Sequence, residues 1–210
     1  MKYTSPSVYE GYMRKKRLLF IPVSSPKGIG EYIRSLGLAE ALADMFPERI
    51  ECHFILNKYA AYAEHCPFPT TLLEKSATKE SSRVSQVIAD YRPDLVIFDC
   101  SGRASHMRKA KQCGAKVVFI SQHVKKRSKG FKLNRLGLID RHWVVQPDFS
   151  IDALSLFEKL KCKYFQFAEP VNVGPFFSKP DNEETNKYLG QHGLIDKEYF
   201  VVNAGSGGHQ

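Results

Sequence analysis

Glu31 follows two glycines in the run Lys27-Gly28-Ile29-Gly30-Glu31-Tyr32-Ile33-Arg34. A carboxylate placed there is suited to removing a proton from a hydroxyl held close to the backbone. Gly28 and Gly30 let a ligand approach the main chain, and a helix starting behind them offers unpaired amides to an anion. The same position also suits a carboxylate as a favourable charge at a helix N-terminus, and residue type and spacing leave both roles open. The dinucleotide fingerprint fails twice. Ile33 holds its third glycine position, and the second strand runs into Asn57-Lys58 instead of an acid for a ribose, so NAD binding is not expected.

Three further clusters carry chemistry. Ser121-Gln122-His123 precedes the basic run Lys125-Lys126-Arg127-Ser128-Lys129. His123 can orient or protonate a substrate group or make an ordinary loop hydrogen bond. The cations suit a phosphate, an acidic lipid surface or plain solvation. Asp99-Cys100-Ser101-Gly102 offers a carboxylate that either polarises a ligand hydroxyl or caps the next turn, beside a thiol expected to be inert. Near the end, the amides of Gly205, Ser206, Gly207 and Gly208 are suited to cradling a phosphate. The seven histidines show no H-x-x-x-H pair, and no metal site is expected.

Short apolar runs that alternate with amphipathic stretches must position these residues, the pattern of βα units around a parallel sheet. Strands are expected at 17–24, 50–56, 70–73, 94–99, 116–120, 142–145 and 164–167. Helices are expected at 32–45, 82–91, 105–113, 150–160 and, shorter, near 184–191, the first gathering Ser35, Leu38, Ala39, Leu42 and Met45 or Phe46 on one face, the fourth Leu154, Leu156, Phe157 and Leu160. A long basic loop should span 121–135. The fold class is therefore α/β, a Rossmann-like doubly wound parallel sheet. Residues 1–16 form an N-terminal extension, 17–171 the domain, and 172–198 a turn-rich and then charged interdomain connection. A strand and glycine loop at 199–210 would begin a second Rossmann-like domain. A glycine loop normally delivers the chain into a helix and none follows here, so the sequence is expected to be the amino-terminal part of a longer one.

The 210 residues carry 31 Lys and Arg against 22 Asp and Glu, a net charge of +9. That surplus favours anionic partners, but no nucleic-acid-reading module is present and the basic run lacks interleaved aromatics, so nucleic acid is not expected. No apolar run nears the ~20 residues of a membrane span, and the apolar stretch behind the N-terminal cations is too short for a secretory signal. Five scattered cysteines without a CxxC pair fit buried thiols in a reducing cytoplasm.

Four segments, in order, make the chain resemble the amino-terminal half of a GT-B nucleotide-sugar glycosyltransferase. They are the loop and helix Gly28 to Leu42, the strand Arg92-Pro93-Asp94-Leu95-Val96-Ile97-Phe98-Asp99, the joining segment Val173-Gly174-Pro175-Phe176-Phe177, and Val201-Val202-Asn203-Ala204-Gly205-Ser206-Gly207-Gly208. The first of these is also similar to nucleotide-sugar hydrolases of sialic-acid-like pathways, where a histidine stands at the position of Glu31. The resemblance implies sugar transfer from a nucleotide donor to a sugar or lipid-linked acceptor, in cell-surface polysaccharide or glycolipid synthesis, with no cofactor and no metal. It implies that the amino-terminal domain holds the acceptor and the second domain the nucleotide. Glu31 would then deprotonate the acceptor and His123 would line the cleft. Lys27, Arg34 and Asp99 would bind substrate with the Gly28–Gly30 loop, and Gly205 to Gly208 would bind donor phosphate. Expected partners are a missing carboxyl-terminal domain or a separate donor-domain protein, and an anionic membrane face touched by the basic run. The alternatives are a nucleotide-sugar hydrolase, a non-catalytic half of a split transferase, and a Rossmann-like phosphate-binding protein without sugar chemistry.

Overall fold

The computed structural model describes residues 14–25, 28–176, 182–194 and 198–200. Seven strands form one sheet: β1 (Lys16–Pro22), β2 (Ile50–Asn57), β3 (Thr70–Leu73), β4 (Leu95–Asp99), β5 (Lys116–Ser121), β6 (Arg141–Val144) and β7 (Pro170–Asn172). Every pairing is parallel, in the order β3-β2-β1-β4-β5-β6-β7. The helices are α1 (Gly30–Met45), α2 (Ser81–Tyr91), α3 (Ala104–Gln112), α4 (Val124–Arg127), α5 (Leu156–Tyr164) and α6 (Asn182–Gln191). This is the Rossmann-like, doubly wound architecture that the alternation of runs predicts.

The middles of the central strands, Leu18–Ile21, Val96–Phe98 and Val117–Ile120, are continuous apolar runs because both faces of the sheet are covered. Leu19, Ile21, Val96, Phe98, Val117 and Phe119 point to one side, where Val84, Val87 and Ile88 of α2 and Met107 and Ala110 of α3 meet them. Leu18, Phe20, Phe54, Ile97, Val118 and Ile120 point to the other, against Tyr32 and Ala39 of α1. Arg92 closes α2 in the left-handed region at φ 48°, and Pro93 prevents its continuation. Gly114, at φ 82°, turns the chain from α3 into β5, as glycine past a helix end does.

Three expectations change. At the end of α1 the expected face gives way, Met45 being 69% exposed and Phe46 exposed; Tyr32, Ser35 and Ala39 are buried and Leu38 and Leu42 pack partly buried against the core. The stretch 121–135 is not a continuous loop, since it contains α4 and a single 3-10 turn at Leu133–Arg135. The largest change lies between 150 and 172. The expected helix 150–160 is instead α5, which runs through Tyr164, and the expected strand 164–167 gives way to β7 at Pro170–Asn172. Ser155 sets the start of α5: its hydroxyl accepts from the Glu158 amide, and Glu158 accepts from the Ser155 amide, a capping box. Glu158 is held inward by this box and by Arg127, with Nη2–Oε2 at 3.1 Å. Phe157 and Leu160 consequently face outward, 78% and 48% exposed.

β7 ends at Asn172, so the expected connection 172–198 starts within the sheet and contains α6. The glycine loop Gly205 to Gly208 lies outside the described residues, as does Lys27.

Candidate functional site

Chain order reverses between β1 and β4, which have β2 and β3 on one side and β5 to β7 on the other. Loops leaving the carboxyl ends of the strands diverge at such a point and open a crevice. Pro22 pairs with Asp99, so the chain leaves the sheet after these two residues at the same level.

A relay of hydroxyls holds the first loop. Ser24 Oγ accepts the Asn57 amide at 2.9 Å and meets Tyr62 Oη at 3.0 Å, and Tyr62 donates to the Gly28 carbonyl at 3.2 Å. The Tyr62 ring stacks on Tyr32 of α1 at 4.2 Å. A Cβ at Gly30 would meet nothing within 4 Å, and one at Gly28 only Ser25 Oγ at 3.6 Å. Among the described residues nothing crowds these glycines.

Glu31 is the second residue of α1, with its side chain 19% exposed and Oε1 3.5 Å from Lys126 Nζ. That contact brings the two sequence clusters together, since Lys126 belongs to α4. His123 is the residue that starts α4; its carbonyl accepts from the Lys126 and Arg127 amides at 2.8 and 3.0 Å, and the residue is exposed. The basic run divides three ways. Arg127 is 2% exposed and donates to the Asp152 and Ala153 carbonyls as well as to Glu158. Lys126 and Lys129 face the crevice, Lys129 Nζ lying 3.4 Å from the Cys100 carbonyl. Lys125 remains exposed. Burial and the nearby Lys126 charge pull the Lys129 ammonium below its ordinary value.

Arg34 and Asp99 find each other. Nε and Nη2 of Arg34 donate to Oδ2 and Oδ1 of Asp99 at 2.9 and 2.6 Å, and Ser35 Oγ adds a 3.4 Å contact. The Asp99 side chain has no exposure and Arg34 has 11%, so Arg34 is the member of the pair that reaches the crevice and Asp99 is its anchor. Burial pushes the Asp99 carboxyl up, and the Arg34 fork opposes that push. On Arg34, burial acts downward, but the bond to Asp99 and its charge leave the guanidinium raised.

Cys100 follows in the left-handed region at φ 55°, a strained conformation for a residue with a side chain. It turns the chain out of β4 while its amide still donates to Ile120 at 2.8 Å. Burial and the Asp99 charge push its thiol up to about 12, which fits the inert thiol expected from the sequence. Tyr62 has no counterpart in the sequence reading, because it lies in an irregular stretch between β2 and β3 where no periodicity marks it.

No protein-family model and no curated protein matches this sequence. Among solved structures, the chain is similar to Arabidopsis thaliana UGT89C1 complexed with UDP, at 12% identity and a TM-score of 0.51, covering 84% of this chain and 55% of that one. CalG4, the calicheamicin glycosyltransferase, aligns at 15% identity and a TM-score of 0.36 over 88% of this chain and 43% of its own. The lipopolysaccharide outer core galactosyltransferase WaaB, in its apo form, aligns at 14% and 0.42 over 85% and 65%. The chain thus spans about half the length of UGT89C1. It has the Rossmann-like fold of a GT-B glycosyltransferase amino-terminal half.

Proposed function

We propose that this chain is the acceptor-holding half of a glycosyltransferase that takes a sugar from a nucleotide-sugar and passes it to a sugar or lipid-linked acceptor in cell-surface polysaccharide or glycolipid synthesis. The observation that carries the reading is the position of Glu31, at the start of α1 beside the switch-point crevice, with Lys126 3.5 Å away. The likeness in fold to UGT89C1, a protein whose structure holds UDP, supports it. In this reading the acceptor hydroxyl enters over Gly28 and Gly30. Its oxygen bonds to the anomeric carbon as the bond from that carbon to the nucleotide's phosphate breaks. Glu31 takes the hydroxyl proton, and the nucleotide leaves with the bonding electrons. Lys126, Lys129 and Arg34 supply positive potential where negative charge gathers, and His123 lines the mouth. The nucleotide-sugar is a substrate, and no metal or cofactor is required. A carboxyl-terminal domain or a partner protein supplies the donor site through a glycine loop such as Gly205 to Gly208, with Lys27 on the acceptor side. The site works in the cytoplasm, where Lys125 and its neighbours can meet the inner face of an anionic membrane.

The test is turnover of nucleotide-sugar by the complete gene product together with any donor-domain partner. Glu31→Gln is expected to lower turnover ~10²-fold or more without changing the melting temperature, the usual worth of a positioned base. Unchanged turnover removes Glu31 from that role, and nucleotide release at full rate without an acceptor replaces transfer with hydrolysis.

A further inference from the structure

Beyond β4 the chain turns through Gly102, at φ 123°, into α3. A Cβ on Gly102 would lie 2.6 Å from Phe98 Cδ1, so glycine is required for the close approach. An open cleft of about 370 Å³ lies beside this turn, lined by Arg103, Ser105, Arg108, Lys132 and Arg135 among others, and by no carboxylate.

Arg135 is the unusual member. It is 6% exposed, its Nη2 donates to the Gly102 carbonyl, and its guanidinium lies 5.0 Å above the Phe119 ring. Its Nη1 is buried and donates to nothing among the described residues. Burial pulls the guanidinium down to about 10, which leaves it charged near neutrality. The strongly buried arginines elsewhere in the domain each have a carboxylate: Arg34 has Asp99 and Arg127 has Glu158. A buried cation with no counter-ion is costly. Water can satisfy one N–H but cannot neutralise the charge.

The first turn of α3, which lines the same cleft, adds donors. Among the described residues the amides of Ala104 and Ser105 have no acceptor, and the start of a nine-residue helix carries partial positive charge. Arg103 and Arg108 are exposed at the rim, as is Lys132. A tetrahedral anion with several acceptor oxygens matches donors disposed on more than one side.

We propose that this cleft binds a phosphoryl group, held by Arg135 from below, by the first turn of α3 at one side, and by Arg103 and Arg108 at the rim. If the domain holds an acceptor, the acceptor is a phosphorylated one; that step rests on the glycosyl-transfer reading, whereas the site itself does not.

The experiment is calorimetric titration of the full 210-residue chain at 150 mM NaCl with inorganic phosphate and, separately, with glycerol phosphate as a monoester. Saturable binding is expected, weakened at least tenfold in Arg103→Ser/Arg108→Ser, whose residues are exposed and whose folding is checked by an unchanged circular dichroism spectrum. Lys163→Ser, on α5 and outside the cleft, should leave it unchanged. Tighter binding of the monoester assigns the phosphate to a larger molecule, and tighter binding of inorganic phosphate assigns it to the free anion; both support the site. No saturable binding, affinity unchanged in the double variant, or a heat that NaCl of matched ionic strength reproduces, overturns it. No donor and no turnover enter this measurement, so its failure would leave the proposal for Glu31 standing, and failure at Glu31 would leave the phosphate site standing.

Discussion

Two carboxylates of the crevice, Glu31 and Asp99, meet opposite fates, and burial decides which. Glu31 keeps partial exposure and, among the described residues, a long contact to Lys126. Asp99 has no exposure and gives both oxygens to Arg34. The family resemblance implies that Arg34 and Asp99 each bind substrate; they sit 65 residues apart, and only the pairing of β1 with β4 brings them into contact. The pair sets the direction of Arg34, and its removal is a stability experiment. Asp99→Asn leaves the Arg34 guanidinium buried without a counter-charge, and urea unfolding is expected to report a loss of about 3–5 kcal/mol. Replacing both partners with apolar residues, Arg34→Met with Asp99→Leu, should restore most of it, because the cost comes from the orphaned charge and not from the lost bond. A single variant that unfolds at the wild-type midpoint would mean that solvent reaches the site.

At the scale of elements, the sequence is most legible where both periodicity and punctuation are present. β3 at Thr70–Leu73 matches its prediction residue for residue; α2, β4 and α3, bounded by Arg92-Pro93 and Gly114, differ by a residue or so. Legibility fails at α5. Leu154, Phe157 and Leu160 follow a helical repeat that reads as a core face, but a repeat states only which residues share a side, not which side turns inward. A capping box and a buried ion pair decide that here, and Arg127 lies 31 residues from Glu158, beyond the reach of any local pattern. The crevice shows the same limit, since the glycine loop of α1 is readable while its Lys126 and Tyr62 neighbours arrive through tertiary contact. The orientation of α5 yields a decisive measurement. Phe157→Ser should change stability by no more than about 0.5 kcal/mol, as exposed substitutions do, whereas Phe119→Ala in the core should cost about 3–5 kcal/mol. A loss for Phe157→Ser near the core value would mean that the outward face of α5 is covered in this chain.

Across the whole molecule the two sides of the sheet respond differently to acid. His106 and His142 both lie on the α2–α3 side, with 0% and 2% exposure. Both are neutral in the fold. His106 Nδ1 accepts the Arg103 amide, so its Nε2 carries the proton and donates to Ser81 Oγ at 2.8 Å. His142 lies between Ser121, 2.9 Å from its Nε2, and Gly130, where an added Cβ would come within 2.4 Å of the ring. Burial, with Arg103 beside His106 and Arg127 beside His142, lowers both to about 4 from 6.5. Between pH 6.5 and 4 the unfolded chain therefore binds protons that the folded chain refuses, so stability is complete above pH 6.5 and falls as pH drops through that window. Each histidine accounts for up to about 3 kcal/mol across it, because a tenfold difference in proton affinity is worth about 1.4 kcal/mol. The carboxylates held low by cationic and amide partners, Asp94, Asp140 and Glu158, are lost only at more acid values. The upper part of the window thus belongs to histidine, with His53, also lowered by burial, adding to the slope and the Asp99 carboxyl, raised by burial, opposing it. Urea unfolding at half-unit steps from pH 7.5 to 4.5 should show a steady loss, and His106→Gln should flatten the curve in proportion to one proton. A wild-type curve already flat above pH 5 would mean that both rings take up their protons without unfolding, and that the α2–α3 side of the sheet opens to water far more readily than its packing implies.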